Sequence, residues 1–257
     1  MFRSNSPPVP DEHLVSLLRP GSWEAEPYRT LRYVMQRIRG SAQSSVIAVS
    51  SAAPGDGKTT TTLNLAAALA EPPAAPVLVV DADLRRGAVA QHLGLGRGSA
   101  ELGLTSAIRD HSLAVRDVAR SFAQWRFSVL PAGPLPATPS EVLESPRFGA
   151  LIAEARREYD FVLVDTPPFV PFGDCRVLSR WVDGFLLVVA AHRTPRKLVE
   201  ETLGVIEPDK LLGLLFNGDD GSFWGSNRYY RYYQDLSSAL RAEPTAPDRQ
   251  RSSHTGS

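Results

Sequence analysis

Residues 45–71 read SVIAVSSAAPGDGKTTTTLNLAAALAE, and their reading decides the fold. A short run of β-branched and apolar residues gives way to a turn containing Pro and Gly. The turn opens directly into an Ala- and Leu-rich helical pattern. Strand, glycine loop and helix in that order make a phosphate-binding unit. The glycines let backbone N–H groups face an anion, and the helix N-terminus adds the positive end of its dipole. The expected spacing is G-x-x-x-x-G-K-S/T. Gly57, Lys58 and Thr59 meet it, whereas Ala52 stands where the leading glycine belongs. Gly55, Asp56, Gly57, Lys58, Thr59 and Thr60 are the candidate nucleotide ligands, with Lys58 reaching the β/γ-phosphates and the Thr59 hydroxyl reaching Mg²⁺. The plain alternative is a Gly/Pro turn with an incidental lysine, and the strand–loop–helix context argues against it.

Working outward, short apolar runs alternate with helical patterns. Residues 45–50, 76–81, 127–133, 160–165, 184–190 and 211–217 predict strands. Most are rich in Val and Leu with little polar alternation, as in strands covered on both faces of a parallel sheet. Residues 57–71, 140–159, 175–182 and 195–206 predict helices between them. An earlier helix is predicted over 24–39, with Leu31, Val34, Met35 and Ile38 on one apolar face. The order gives a P-loop NTPase-like, doubly wound α/β domain over residues 23–217, a mostly parallel sheet with helices on both faces. Residues 1–22, rich in Pro and Ser, are expected to form a flexible arm, and 218–257 a flexible tail.

Composition narrows the partners. The chain has 257 residues and a formal net charge of zero, so no global field argues for nucleic acid or an anionic membrane. Cys175 is the single cysteine, which excludes an internal disulfide and suits a reducing cytoplasm. The apolar runs are far short of the ~20 residues of a membrane helix, and the N-terminus lacks a signal-peptide core. A cytoplasmic chain is expected, brought to the inner face of a membrane only through a partner. His92, His111 and His192 have no metal-ligand spacing and are read as surface residues.

Two further strands end in acids. VLVVDADLRR places Asp81 and Asp83 at the end of one, and FVLVDTPP places Asp165 at the end of another. In an open parallel sheet, ligands bind at those ends. Carboxylates there can hold Mg²⁺ through its waters or accept a proton from an attacking hydroxyl. An Asp that merely caps the next helix is the plain alternative for each. Three acids converging on a phosphate loop favour a nucleotide–Mg²⁺ site.

Together these residues resemble the bacterial tyrosine kinases, relatives of the MinD/ParA ATPases, over about residues 24–233. APGDGKTT is similar to that family's Walker A motif, VLVVDADLRR to its Walker A′ and FVLVDTPP to its Walker B. The segments LPAGPLPATPSEVLES and GLLFNGDD and the tyrosine-rich tail extend the match. The resemblance implies ATP/ADP and Mg²⁺ as ligands, with Lys58, Asp81, Asp83 and Asp165 as catalytic groups. Asp81 is implied to be the base toward a tyrosine hydroxyl, and Thr59, Asp83 and Asp165 to act on the metal. Asn217 is similar to the position that contacts adenine in the wider class. Ala53 replaces the signature lysine of the MinD/ParA loop, which favours the kinase branch. EPYRTLR carries Glu26, Arg29 and Arg32 at spacing three, where an intrahelical ion pair of ~0.3–0.5 kcal/mol is the bland reading. The resemblance implies instead a contact between protomers of a ring.

Four of the seven tyrosines, Tyr229, Tyr230, Tyr232 and Tyr233, crowd into NRYYRYYQD. They read as phosphoacceptors, carried about a dozen residues beyond the last strand and reaching at most ~40 Å. Stacking on a partner surface is the competing use. The expected function is ATP-dependent tyrosine autophosphorylation, and the resemblance implies that it falls on a neighbouring protomer's tail and regulates polysaccharide synthesis and export. The resemblance adds a membrane-bound activator of chain-length-determinant type. The alternatives are a MinD/ParA-like ATPase switch that positions a partner without phosphorylating it, and a non-enzymatic nucleotide-binding adaptor, against which an intact Asp81 argues.

Overall fold

The computed structural model describes residues 9–72, 75–95, 102–122, 125–170 and 172–218. Strands β1 (Ser45–Ser51), β2 (Val77–Asp81), β3 (Arg120–Ser121), β4 (Ser128–Leu130), β5 (Phe161–Asp165), β6 (Gly184–Ala190) and β7 (Leu211–Asn217) form one sheet in the order β3-β4-β2-β5-β1-β6-β7. All neighbours are parallel except β3, which runs antiparallel to β4. The two-residue edge strand β3 has no apolar pattern of its own and was not expected from the sequence.

Alternation along the strands divides the core in two, because successive side chains point to opposite faces. Val46, Ala48, Val162, Val164, Phe185 and Leu187 pack on one side with Leu143, Phe148, Leu151 and Leu178. These last come from helices α7 (Pro139–Glu144), α8 (Pro146–Glu158) and α9 (Asp174–Leu178), and α5 (Leu104–Arg109) and α6 (Val115–Val118) add Leu104 and Val115 to the same side. Ile47, Val77, Val79, Leu163 and Leu186 pack on the other side with Leu14, Met35, Leu63, Leu65 and Val89. Those belong to or adjoin α1 (Val15–Leu18), α2 (Glu26–Arg39), α3 (Lys58–Leu69) and α4 (Val89–His92). Helices therefore cover both faces. Burying each of Phe148, Phe161 and Phe185 fully contributes about 1.5–3 kcal/mol.

Four local differences from the sequence reading have physical causes. The helix expected over 140–159 is two, because Pro146 starts a new one with Ser145 as its cap, the Ser145 hydroxyl accepting from the Arg147 N–H at 3.2 Å. Residues 9–22 are packed rather than loose. Leu14 is wholly buried, and the Asn64 amide of α3 accepts from the Ser16 N–H at 2.8 Å and donates to the His13 carbonyl at 2.9 Å. The Asp11 N–H donates to the His92 carbonyl at 2.8 Å. The apolar face of α2 is narrower than expected: Met35 is buried, while Val34 and Ile38 are exposed. Finally, β7 lies at the sheet edge and leaves Leu214 and Phe216 exposed, so it is not covered on both faces like the inner strands.

Helix α2 also separates the three residues of its charged motif. Glu26 and Arg29 pair on an exposed surface, with Arg29 Nε donating to Glu26 Oε2 at 3.0 Å. Arg32 instead is buried, donates to the Ala68 carbonyl at 3.2 Å and lies 3.8 Å from Glu71. A guanidinium there adds a second donor to an end carbonyl of α3, which also accepts the Glu71 N–H at 3.4 Å. Residues from 219 onward, including Tyr229, Tyr230, Tyr232 and Tyr233, lie outside the described residues. Among the described residues no helix is long and apolar enough to cross a membrane.

Candidate active site

The site forms where the C-terminal ends of β1, β5 and β2 meet the N-terminus of α3. Gly55 and Gly57 have φ of +83° and +95°, a left-handed region that side chains avoid, and the chain turns there to start α3 at Lys58. Space also demands glycine at 57, where an added Cβ would lie 2.0 Å from the Asn217 side-chain nitrogen. Lys58 is buried, and its positive charge lowers the pKa of Asp165. Thr60 is half-buried on the first turn of α3 and accepts from Asn64 through its carbonyl.

Strand register places the two principal acids side by side. Asp81 and Asp165 are Cα partners across β2 and β5, and Val49 of β1 is the other neighbour of Asp165. The Thr59 hydroxyl donates to Asp165 Oδ2 at 2.7 Å, and the Thr62 hydroxyl to Oδ1 at 3.4 Å. Burial still raises the Asp165 pKa to about 7, against the lowering by these hydroxyls and by Lys58. Asp81 is pushed well above the usual carboxylate range, chiefly by burial and then by the charge of Asp165. Its Oδ2 accepts from the Val89 N–H at 3.1 Å, whereas Oδ1 is buried with no hydrogen-bond partner. A buried carboxylate oxygen without a donor is costly. A proton, a cation or a hydroxyl would satisfy it.

Asp83 is arranged differently. Its Oδ1 accepts the Arg85 and Arg86 backbone N–H groups, both at 3.2 Å, so that oxygen serves the turn after β2. Arg85 grips Asp174 with two nitrogens, Nε to Oδ2 at 2.7 Å and a terminal nitrogen to Oδ1 at 3.1 Å, and its guanidinium stacks 4.0 Å from the Phe172 ring centre. Ser140 also donates to Asp174. This cluster ties the β2 turn to the segment after β5 and to α7. Sequence reasoning named Arg85 only as part of a motif and missed Asp174, whose sole signal was an acid near the start of a short helix. Cys175 lies buried beneath, its thiol pushed up to about 11 by burial, and so is a poor nucleophile.

Asn217, at the end of β7, reaches the loop: its Nδ2 donates to the Asp56 carbonyl at 2.9 Å. Its place from the family resemblance is beside the base of the nucleotide; here its side chain holds the loop. The glycine cradle, the lysine at a helix N-terminus, the Thr59 hydroxyl and the orphan Asp81 oxygen together suit a nucleotide phosphate with Mg²⁺.

A family profile described as an AAA domain matches residues 44–178. The chain is 32% identical over 232 residues to the tyrosine-protein kinase YwqD of Bacillus subtilis, across 89% of this chain and 95% of that protein. It is 31% identical over 206 residues to the tyrosine-protein kinase wzc of Salmonella typhimurium, across 79% of this chain but only 28% of that longer relative. The solved kinase domain of the Escherichia coli tyrosine kinase ETK superposes with a TM-score of 0.74 at 28% identity, covering 84% of each chain. With this sheet order, phosphate loop and pair of strand-end acids, the chain belongs to the bacterial tyrosine kinases, within the P-loop class that carries an AAA domain.

Proposed function

We propose that the protein is an ATP- and Mg²⁺-dependent tyrosine autokinase whose acceptors are Tyr229, Tyr230, Tyr232 and Tyr233. The observation that carries this reading is the Asp81 oxygen left without a donor beside Asp165, at the mouth of the phosphate loop. Gly55, Asp56, Gly57, Lys58, Thr59 and Thr60 bind the nucleotide phosphates, with Lys58 countering their charge. Asp165 orients the Thr59 hydroxyl, which with Asp165 and Asp83 holds the metal. Bound Mg²⁺–ATP supplies the γ-phosphoryl group and neutralises the charge developing on it. Asp81 takes the proton from the attacking phenol, whose ordinary pKa of about 10 leaves it a weak nucleophile unaided. Asn217 lies close enough to the loop to serve the base of the nucleotide as well.

The reading extends to a ring of protomers that exchange tails, with Glu26 and Arg29 on the exposed face of α2. Arg32 supports that helix from inside its own protomer. It also includes a membrane-bound chain-length-determinant-type activator and a role in polysaccharide synthesis and export. Support comes from the relatives' names and from the matching motifs. The test is mass spectrometry of the purified full chain after incubation with ATP and Mg²⁺. Phosphotyrosine is expected at residues 229–233, and lost when all four are changed to Phe. Phosphate release with no modified tyrosine overturns this reading in favour of an ATPase switch.

A further inference from the structure

The phosphate loop is flexible by composition and constrained by its surroundings. Gly55 and Gly57 lack Cβ atoms, so the peptide groups around Asp56 can rotate at low steric cost. Rotation would turn a carbonyl oxygen toward the place where the loop must present N–H groups to an anion. Two side chains from the C-terminal ends of β6 and β7, beside β1 in the sheet, oppose this. Arg193 donates to the Gly55 carbonyl, and Asn217 Nδ2 donates to the Asp56 carbonyl at 2.9 Å. Both successive carbonyls are thereby engaged away from the anion site.

The Asp56 side chain is fixed as well. It is buried at 2% exposure, and Oδ2 accepts the Ala53 N–H at 3.0 Å while Oδ1 accepts the Thr194 hydroxyl at 2.8 Å. A carboxylate so placed would repel phosphate if it swung free; here its oxygens are occupied within the loop's own frame. The Thr194 oxygen accepts the Ala190 N–H at 3.1 Å, and Ala191 N–H donates to the Asn217 carbonyl at 2.8 Å, which joins the ends of β6 and β7. His192 adopts a φ of +58°, a conformation that non-glycine residues seldom take. The unfavourable turn aims Arg193 and Thr194 at the loop.

We infer that Arg193 and Thr194, on the turn between β6 and α10 (Arg196–Leu203), act with Asn217 as positioning residues that lock the phosphate loop in its anion-binding form. This rests on the reading of that loop as the nucleotide-phosphate site and deepens it, by naming what holds it. The occupant is a nucleoside diphosphate or triphosphate with Mg²⁺.

The test uses the full chain and a fluorescent ADP analogue with Mg²⁺, with ATP kinetics of autophosphorylation alongside. Thr194→Val keeps the shape and removes the hydroxyl; Thr194→Ser restores it. Val is expected to weaken ADP binding about tenfold, the scale of one hydrogen bond to a carboxylate. It should raise KM for ATP by a similar factor with kcat nearly unchanged, and Ser should return both to wild-type values. Arg193→Gln, at an exposed position, is expected to weaken ADP binding about threefold, as for a single hydrogen bond lost at the surface. The lock is overturned if the Val and Gln variants bind ADP like the wild type, or if Ser is as weak as Val. Should Val lower thermal stability sharply, the Arg193→Gln measurement alone decides. A wild-type chain that fails to bind ADP removes the phosphate-site reading itself. One that binds ADP without forming phosphotyrosine removes only the kinase reading and leaves the lock standing.

Discussion

The ends of β2 and β5 offer the same group in the same register and surround it differently. Asp165 sits under two threonine hydroxyls of α3 and close enough to Lys58 to feel its charge. Asp81, its register partner, has one backbone donor and one oxygen with none. Burial raises both pKa values, yet at Asp165 the rise is opposed by two hydroxyl donors and the Lys58 charge, and at Asp81 by backbone N–H donors alone. The contrast assigns them opposite tasks. A carboxylate that accepts two hydroxyls of α3 is a fixture that orients Thr59. A buried carboxylate with one unpartnered oxygen can take up a proton there.

The strongest way to break this contrast is Asp81→Asn. If Asp81 is the base, autophosphorylation kcat falls about 10³-fold, in the range of a lost general base, while ADP–Mg²⁺ affinity stays near wild type. Parallel loss of affinity would make Asp81 a second fixture. Asp165→Asn sharpens the other half through stability, measured by thermal melting without nucleotide across pH. The Asp165 pKa stands at about 7 in the folded chain, raised from an ordinary 3.8, so between those values the folded chain keeps a proton the unfolded chain has released. That stabilisation is complete below the lower value and disappears as pH rises through the upper one. Asn carries no charge to bury. Its melting temperature should match wild type near pH 4 and exceed it by about 10 °C at pH 8. A constant gap across pH would mean that Asp165 does not titrate in this range. The smallest effect is expected from Gly87→Ala. Gly87 has a φ of +57°, and an added Cβ would lie 3.2 Å from Leu135 and 4.0 Å from Asp81 Oδ2. Backbone strain of about 1 kcal/mol should lower the melting temperature by roughly 3 °C, with a few-fold loss of kcat and unchanged ADP affinity.

Much of this was readable from residue order. SVIAVS, VLVVD and FVLVD are apolar between their ends because both faces of the inner strands are covered, and that pattern put Asp81 and Asp165 at the ligand end of the sheet. Lys58 and Thr59 followed from spacing against the glycines. Contacts between distant segments were not readable. The proline and serine content of residues 9–22 suggested a loose arm, but the Asn64 amide on α3 offers both a donor and an acceptor to that stretch. Arg32 shares its spacing with Glu26 and Arg29, yet the end of α3 draws it inward. Val34 and Ile38 fit a helical apolar stripe and remain exposed, because the groove α2 fills takes Met35 instead. Thr194 had no motif to mark it; its hydroxyl meets Asp56 because β6 runs beside β1, the strand that leads into the loop.

The lock on the phosphate loop also sets a timetable for synthesis. The loop leaves the ribosome before β5, β6 and β7, but its strand β1 pairs with β5 and β6, and the groups holding its carbonyls are Arg193 and Asn217. Pairing across such separations waits for the later strands, since chain closure must precede the contacts that reward it. The nascent chain therefore carries a glycine-rich segment without an anion site until β7 has emerged. Nucleotide then stabilises a domain that is already whole, and a chain truncated before residue 217 gains little from it.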